Sequence, residues 1–327
     1  VRRLFTKLVA AYGLNIALQQ AIGNAILSRV DVKKSLHNTP NQAPKGMQFE
    51  RIRETDTYTM RHTIEDGIER IAYLPKEKRF DTPIIMQHGM WHGAWCWENW
   101  QIQLAEIGWE SHAHSLPGHA GSVKQRPLWR ATLDYYLAFL KREIDRLPVK
   151  PILMGHSMGG ALTQWYLKHV SDDLPAGVLV APWVAFDSFA DGAPLFFRLD
   201  PVGVILSTLT WNATPYVRSP YHAARKLISP GASLKPIELW AKLSGESTLV
   251  TMQHRPPYWE PLAQVNTPML WLAAAKDKVV SLDGTKHSAA HYKADLHIVE
   301  NAAHNLMMEH NHQQTAQHIH TWLEVTL

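Results

Sequence analysis

The chain has 327 residues, 46% hydrophobic and 19% charged, a globular composition with enough apolar mass for a large core. Its 33 basic and 29 acidic residues leave a formal charge of only +4. Without zinc-finger spacing or a dense Arg/Lys face, that charge excludes nucleic acid as the expected partner. Cys96 is the single cysteine, so no intramolecular disulfide can form. A buried packing thiol is expected there, and a reducing, cytoplasmic setting fits.

Residues 1–27 open with Arg2, Arg3 and Lys7 and continue apolar, but Asn15, Gln19, Gln20 and Asn24 interrupt the run. It is too polar to span a membrane. Leu4, Leu8, Ile16, Ile22 and Ile26 recur near helical spacing and predict an amphipathic helix. Such a helix packs on its own domain or a partner, or makes peripheral contact with a membrane surface. A polar connector, "HNTPNQAPKG", follows.

Residues 57–64 and 68–74 read as two strands joined at "EDG" into a hairpin. Strand and helix patterns then alternate. "TPIIMQHG" is a short buried run, 98–107 is helical, and "WESHAHSLPG" is a weaker strand. Residues 130–146 form a helix with Leu133, Tyr136, Leu137, Leu140 and Ile144 on one face. "PILMGHS" is a buried strand followed by a helix over 158–169. "AGVLVAPW", "TPMLWLAAAKD" and "ADLHIVENAAH" are strands, and 311–325 closes as a helix. A leading hairpin followed by strand–helix units predicts an α/β fold with a mostly parallel sheet and helices on both faces. Residues 183–262 break the rhythm, being rich in aromatics and prolines. A structureless loop that long does not suit a compact domain, so a helical cap is expected. The expected division is 1–48 as helix and connector, 49–182 with 263–327 as the core, and 183–262 as the cap.

Gly155-His156-Ser157-Met158-Gly159 matches G-x-S-x-G, a strand-to-helix turn that pushes a serine hydroxyl out at its apex. The same turn aims the Met158 N–H at that point, at the positive end of the following helix. A serine nucleophile needs a base, and the base an orienting acid, in the chain order Ser, acid, His. His304 follows the last strand and is the expected base. Asp277 follows "MLWLAAA" and is the expected acid, in competition with Asp187 and Asp283. The strand ending in His88-Gly89 offers the Met90 N–H as a second oxyanion donor, with His88 shaping the loop.

With these parts in order, the chain resembles the α/β-hydrolase superfamily over roughly residues 50–327. "HGMWHGAWCWENW" followed by "SLPGHAGS" resembles its esterase and hydroxynitrile-lyase-like branch, whose members share an HGxxHGAWCW-type segment. The resemblance implies Ser157, Asp277 and His304 as a catalytic triad. Cyanohydrin-cleaving members carry a lysine directly after the catalytic histidine. Here that position is Asn305, which argues for hydrolysis over lyase chemistry.

The expected function is therefore hydrolysis of a carboxylic ester with an apolar acyl or alcohol part, through an acyl-enzyme on Ser157. The same residues would also serve acyl transfer, C–C bond hydrolysis or cofactor-free perhydrolysis. A non-catalytic binding module on this fold would not need all three. No cofactor is expected, since dinucleotide and P-loop fingerprints are lacking. His310, His312, His318 and His320 are expected on an exposed helical face rather than at a metal, and the pair His287 and His291 is treated alike.

Overall fold

The apolar runs read as strands pair into a single sheet. The computed structural model describes the backbone of residues 2–44, 46 and 48–327, and the side chains from Ala10 onward in that range. The strands are β1 Phe49–Glu54, β2 Tyr58–Glu65, β3 Ile68–Pro75, β4 Ile84–Gln87, β5 Ser111–His114, β6 Ile152–His156, β7 Gly177–Val180, β8 Met269–Ala274 and β9 Asp295–Val299. They lie in the order β1-β2-β3-β5-β4-β6-β7-β8-β9. The first three pairings are antiparallel, and every pairing from β5 to β9 is parallel.

Parallel neighbours need long crossovers, and helices supply them. The helices are α1 Arg2–Leu27, α2 Val32–Asn38, α3 Glu98–Ile107, α4 Leu133–Asp145, α5 Met158–His169, α6 Ser188–Leu199, α7 Pro201–Thr210, α8 Pro220–Leu227, α9 Pro236–Lys242, α10 Leu249–Gln253, α11 Leu282–Tyr292 and α12 His312–Thr326. Every residue of β4, β6, β7 and β8 is buried, as a strand covered on both faces requires. Around them Trp97, Trp100, Trp109, Trp165 and Trp271 are fully buried, and Cys96 is a buried thiol.

The hairpin turns at Asp66 and Gly67, both with positive φ, the geometry that suits right-twisted strands. β1 was not legible. In "FERIRE" charges and apolar residues do not alternate, and all six residues are exposed. It lies at the sheet edge, where such charges hinder pairing with another chain.

Helix α1 forms, but its face differs from the expected stripe. Tyr12, Ile16, Gln19, Gly23, Ile26 and Leu27 turn toward the protein, while Ile22 is exposed with Leu14 and Leu18. The step from Ile16 to Ile22 rotates the chain by about 240°, off the inner face. Leu4, Leu8, Arg2, Arg3 and Lys7 lie outside the described side chains. No helix among the described residues is long and apolar enough to cross a membrane.

Between β7 and β8 stand the helices α6 to α10. Asp200 ties this segment together. Its carboxylate accepts from Gly203 N–H (2.9 Å), Arg218 (2.7 and 3.0 Å) and the Lys226 ammonium (2.8 Å). Burial alone would raise its pKa, but the hydrogen bonds from Arg218 and Lys226 outweigh that and hold it well below the ordinary value. Glu246, in the same segment, binds the core. It accepts from Tyr136 Oη–H (3.0 Å) and from His119 Nε2–H (3.1 Å), with Glu246 and His119 wholly buried.

Removing one member of a buried ion pair leaves the other charge uncompensated. Asp200→Asn is therefore expected to destabilise the protein by about 3–5 kcal/mol in urea unfolding. Glu50→Ala breaks only the exposed Arg61–Glu50 pair and should cost at most about 1 kcal/mol. Equal losses in the two variants would contradict this assignment.

Candidate active site

β6 ends at His156 and α5 begins at Met158, so the whole reversal falls on Ser157. Its backbone takes φ 53° and ψ −117°, a sparsely populated region for a residue with a side chain. Neighbours hold it there. Ser157 N–H donates to the Val180 carbonyl (3.0 Å), and the Ser157 carbonyl accepts from Gly160 (2.9 Å), Ala161 (3.2 Å) and Trp183 (3.2 Å). The flanking glycines are needed for space. A Cβ on Gly155 would lie 2.3 Å from the Gly159 carbonyl oxygen, and one on Gly159 would lie 2.1 Å from that of Gln87.

Sheet register brings the next loop to the serine. Gln87 of β4 pairs with Gly155 of β6, so the residues following each emerge side by side. A Cβ on Gly89 would stand 2.8 Å from Ser157 Cβ. Among the described residues, neither the Met90 N–H nor the Met158 N–H has a hydrogen-bond acceptor in the chain.

Two histidines fix that loop. His88 Nε2 accepts from Leu116 N–H (2.9 Å), which leaves Nδ1–H to donate to the Gly89 carbonyl (2.8 Å). His92 Nδ1–H donates to the Met90 carbonyl (2.7 Å), and its Nε2 accepts from the Asn305 side-chain amide (3.0 Å). Each ring is thereby committed to one neutral tautomer. Burial pushes His88 well below the usual histidine range and His92 to about 4. Trp91, between them, takes φ 65°, a second strained position at this corner.

Asp277 and His304 meet at the same sheet end. Asp277 Oδ1 accepts from Val279 N–H (2.8 Å) and Val280 N–H (3.1 Å), which turns Oδ2 to His304 Nδ1 at 2.8 Å. His304 and the Asp277 side chain are almost wholly buried. His156 Nε2–H donates to the His304 carbonyl (3.2 Å), with the two rings 4.8 Å apart, so the elbow itself holds the loop that carries His304. Among the described residues, Ser157 Oγ makes no hydrogen bond to His304; such bonds often tighten only when substrate is bound. The rival acids are occupied elsewhere. Asp187 caps α6 through Phe189 and Ala190 N–H, and Asp283 is exposed in the first turn of α11.

The terminal histidines do not form one exposed face. His320 is buried and accepts from Trp109 Nε1–H (3.2 Å), because α12 packs this side on α3 and its flanking loop. His318 stacks on His297 at 3.8 Å, and His287 and His291 pack against Phe186. Reading the sequence missed the roles of His92 and Asn305. Asn305 stood out only as a lysine's absence, and nothing in the spacing of "HGMWHG" says which ring its amide will meet.

Ser157 opens into a cavity of about 310 Å³, whose wall includes Met90, Trp91, Trp183, Phe196, Trp211 and Tyr216. The sequence model of the alpha/beta hydrolase family matches residues 84–318, from β4 into α12. The chain belongs to the alpha/beta hydrolase family. Among curated proteins it is similar to putative methylesterase 12, chloroplastic, of Arabidopsis thaliana, 27% identical over 176 residues that cover 49% of each chain. It is also similar to norfluorocurarine synthase 1 of Strychnos nux-vomica, 31% identical over 107 residues, covering 32% of this chain and 39% of that one. The chain thus spans half or less of the length of these curated relatives. Among solved structures, the monoacylglycerol lipase of Paleococcus ferrophilus shares the fold, with TM-score 0.54 and 17% identity over 80% of this chain and 99% of that one.

Five buried histidines of this chain, His88, His92, His114, His156 and His254, are all depressed by burial, His92 and His114 to about 4 and His254 to about 3. An unfolded histidine titrates near 6.5, so between about pH 6.5 and 4 the unfolded chain binds more protons. Stability is full above that window and falls as pH drops through it. Unfolding at pH 5 is expected to take up about five protons at these histidines. A urea midpoint that stays flat from pH 7 to pH 5 would contradict the neutral assignment.

Proposed function

We propose that this chain is a serine esterase acting on neutral esters with an apolar acyl or alcohol part. The observation that carries the proposal is the Asp277–His304 pair at 2.8 Å, beside a strained serine that opens into an apolar cavity. Ser157 Oγ attacks the ester carbonyl while His304 Nε2 takes its proton. Asp277 holds Nδ1–H and stabilises the imidazolium. The Met90 and Met158 N–H groups receive the oxyanion, and their lack of other acceptors supports that role. His304 then protonates the departing alcohol, and water, activated by the same imidazole, releases the acid.

Cavity chemistry supports a neutral substrate. Asp191 is its charged wall residue, and the Asp191 carboxylate is already taken by the Ser281 N–H (2.9 Å) and the Ser281 hydroxyl. We assign 183–262 as a cap on a core of 49–182 and 263–327, because α6 and α7 contribute cavity wall while the strands carry the reacting groups. The relatives' names, a methylesterase and a monoacylglycerol lipase, agree with ester cleavage. Asn305 is buried against His92 and brings no positive charge to the site, which disfavours lyase chemistry.

Steady-state rates on p-nitrophenyl esters test the assignment. Ser157→Ala is expected to lower kcat at least about a thousandfold, and Asp277→Asn by about a hundredfold or more with KM little changed. A Ser157→Ala protein as active as the parent would remove the nucleophile.

A further inference from the structure

The cavity that holds Ser157 is not closed by the core and the cap alone. Tyr12, Ile16, Gln19 and Gln20 of α1 belong to its wall. We infer that α1 is a structural wall of the substrate pocket and sets how long an apolar chain the ester can carry. This inference rests on the esterase reading of Ser157.

Helix α1 is fixed in place at several points. Its C-terminal end is clamped to α10. Leu27 is buried with Leu249 and Met252, and Gly23 comes so close that a Cβ there would lie 2.3 Å from Met252 Cε. Further back, Arg255 donates to Gln20 Oε1 (2.8 Å), Tyr258 Oη–H donates to Asn24 Oδ1 (3.1 Å), and the Gln19 amide donates to the Thr208 carbonyl of α7. These contacts recur along one helical face, so the same stripe that anchors the helix presents Ile16 and Tyr12 to the cavity. Gln19 Nε2–H and Gln20 Oε1 are engaged by protein partners, and Tyr12 and Ile16 add apolar surface for a ligand. A wall of this kind discriminates by volume, since each methylene that fits or clashes changes transition-state binding about tenfold or more.

The closing experiment compares kcat/KM for p-nitrophenyl acetate and p-nitrophenyl decanoate in the full chain and three variants. Ile16→Trp puts bulk into the cavity. Leu18→Trp puts the same bulk on the exposed face of the same helix. Ser157→Ala reports on the esterase reading separately. Ile16→Trp is expected to lower the decanoate rate at least about tenfold while leaving acetate within about twofold. Leu18→Trp is expected to leave both unchanged. If Ile16→Trp lowers both esters equally, or neither, the wall inference is overturned while an inactive Ser157→Ala leaves the esterase reading standing. If Leu18→Trp reproduces the selective loss, bulk anywhere on α1 has the same effect and the inference is likewise overturned. If Ser157→Ala hydrolyses both esters as the parent does, the esterase reading fails, whatever Ile16 does.

Discussion

The register between β4 and β6 is the constraint on which the rest of the site depends. Pairing Gln87 with Gly155 brings two loop starts side by side, and every later feature uses that adjacency. Gly159 must lack a side chain because the Gln87 carbonyl sits where a Cβ would go. Ser157 can keep φ 53° because β7 and the start of α5 occupy its backbone groups. A conformation of this sort costs about 1–3 kcal/mol and persists only when its surroundings over-determine it. A slip of one residue in β6 would lose all of these contacts together.

Polar burial does the second part of the work. The corner at Ser157 is surrounded by histidines, yet most are neutral hydrogen-bonding spacers. His88 and His92 pin the loop that carries Met90, and His156 pins the loop that carries His304. His304 differs from these three in that its Nδ1 meets a carboxylate, that of Asp277. The difference between a spacer and a base here lies in the partner of one ring nitrogen. Asn305 illustrates the point. Directly beside the proposed base, it serves the loop that carries Met90 by fixing the tautomer of His92.

Much of this was legible from the sequence, and for definable reasons. Buried parallel strands read as continuous apolar runs, so β4, β6, β7 and β8 stood out. The elbow was legible because its steric demand is local, written in Gly155 and Gly159. Asp277 and His304 were legible because strand ends in this topology gather at one edge of the sheet. What escaped depends on distant contacts. β1 is an exposed edge strand with no apolar period, the inner face of α1 is chosen by α7 and α10, and His320 is buried by Trp109 from across the chain. The hydrogen bonds between Asn305 and His92 and from His119 and Tyr136 to Glu246 join residues more than a hundred positions apart, and no local pattern announces them.

The most direct measurement is the site of reaction with a fluorophosphonate. The protein is incubated with the probe, digested, and the modified peptide located by mass spectrometry. Attack by Ser157 Oγ on phosphorus with loss of fluoride should place one phosphonyl group on Ser157, and His304→Ala should slow the labelling sharply. No adduct, or an adduct on another residue with Ser157 unmodified, would contradict the assignment of Ser157 as the activated nucleophile.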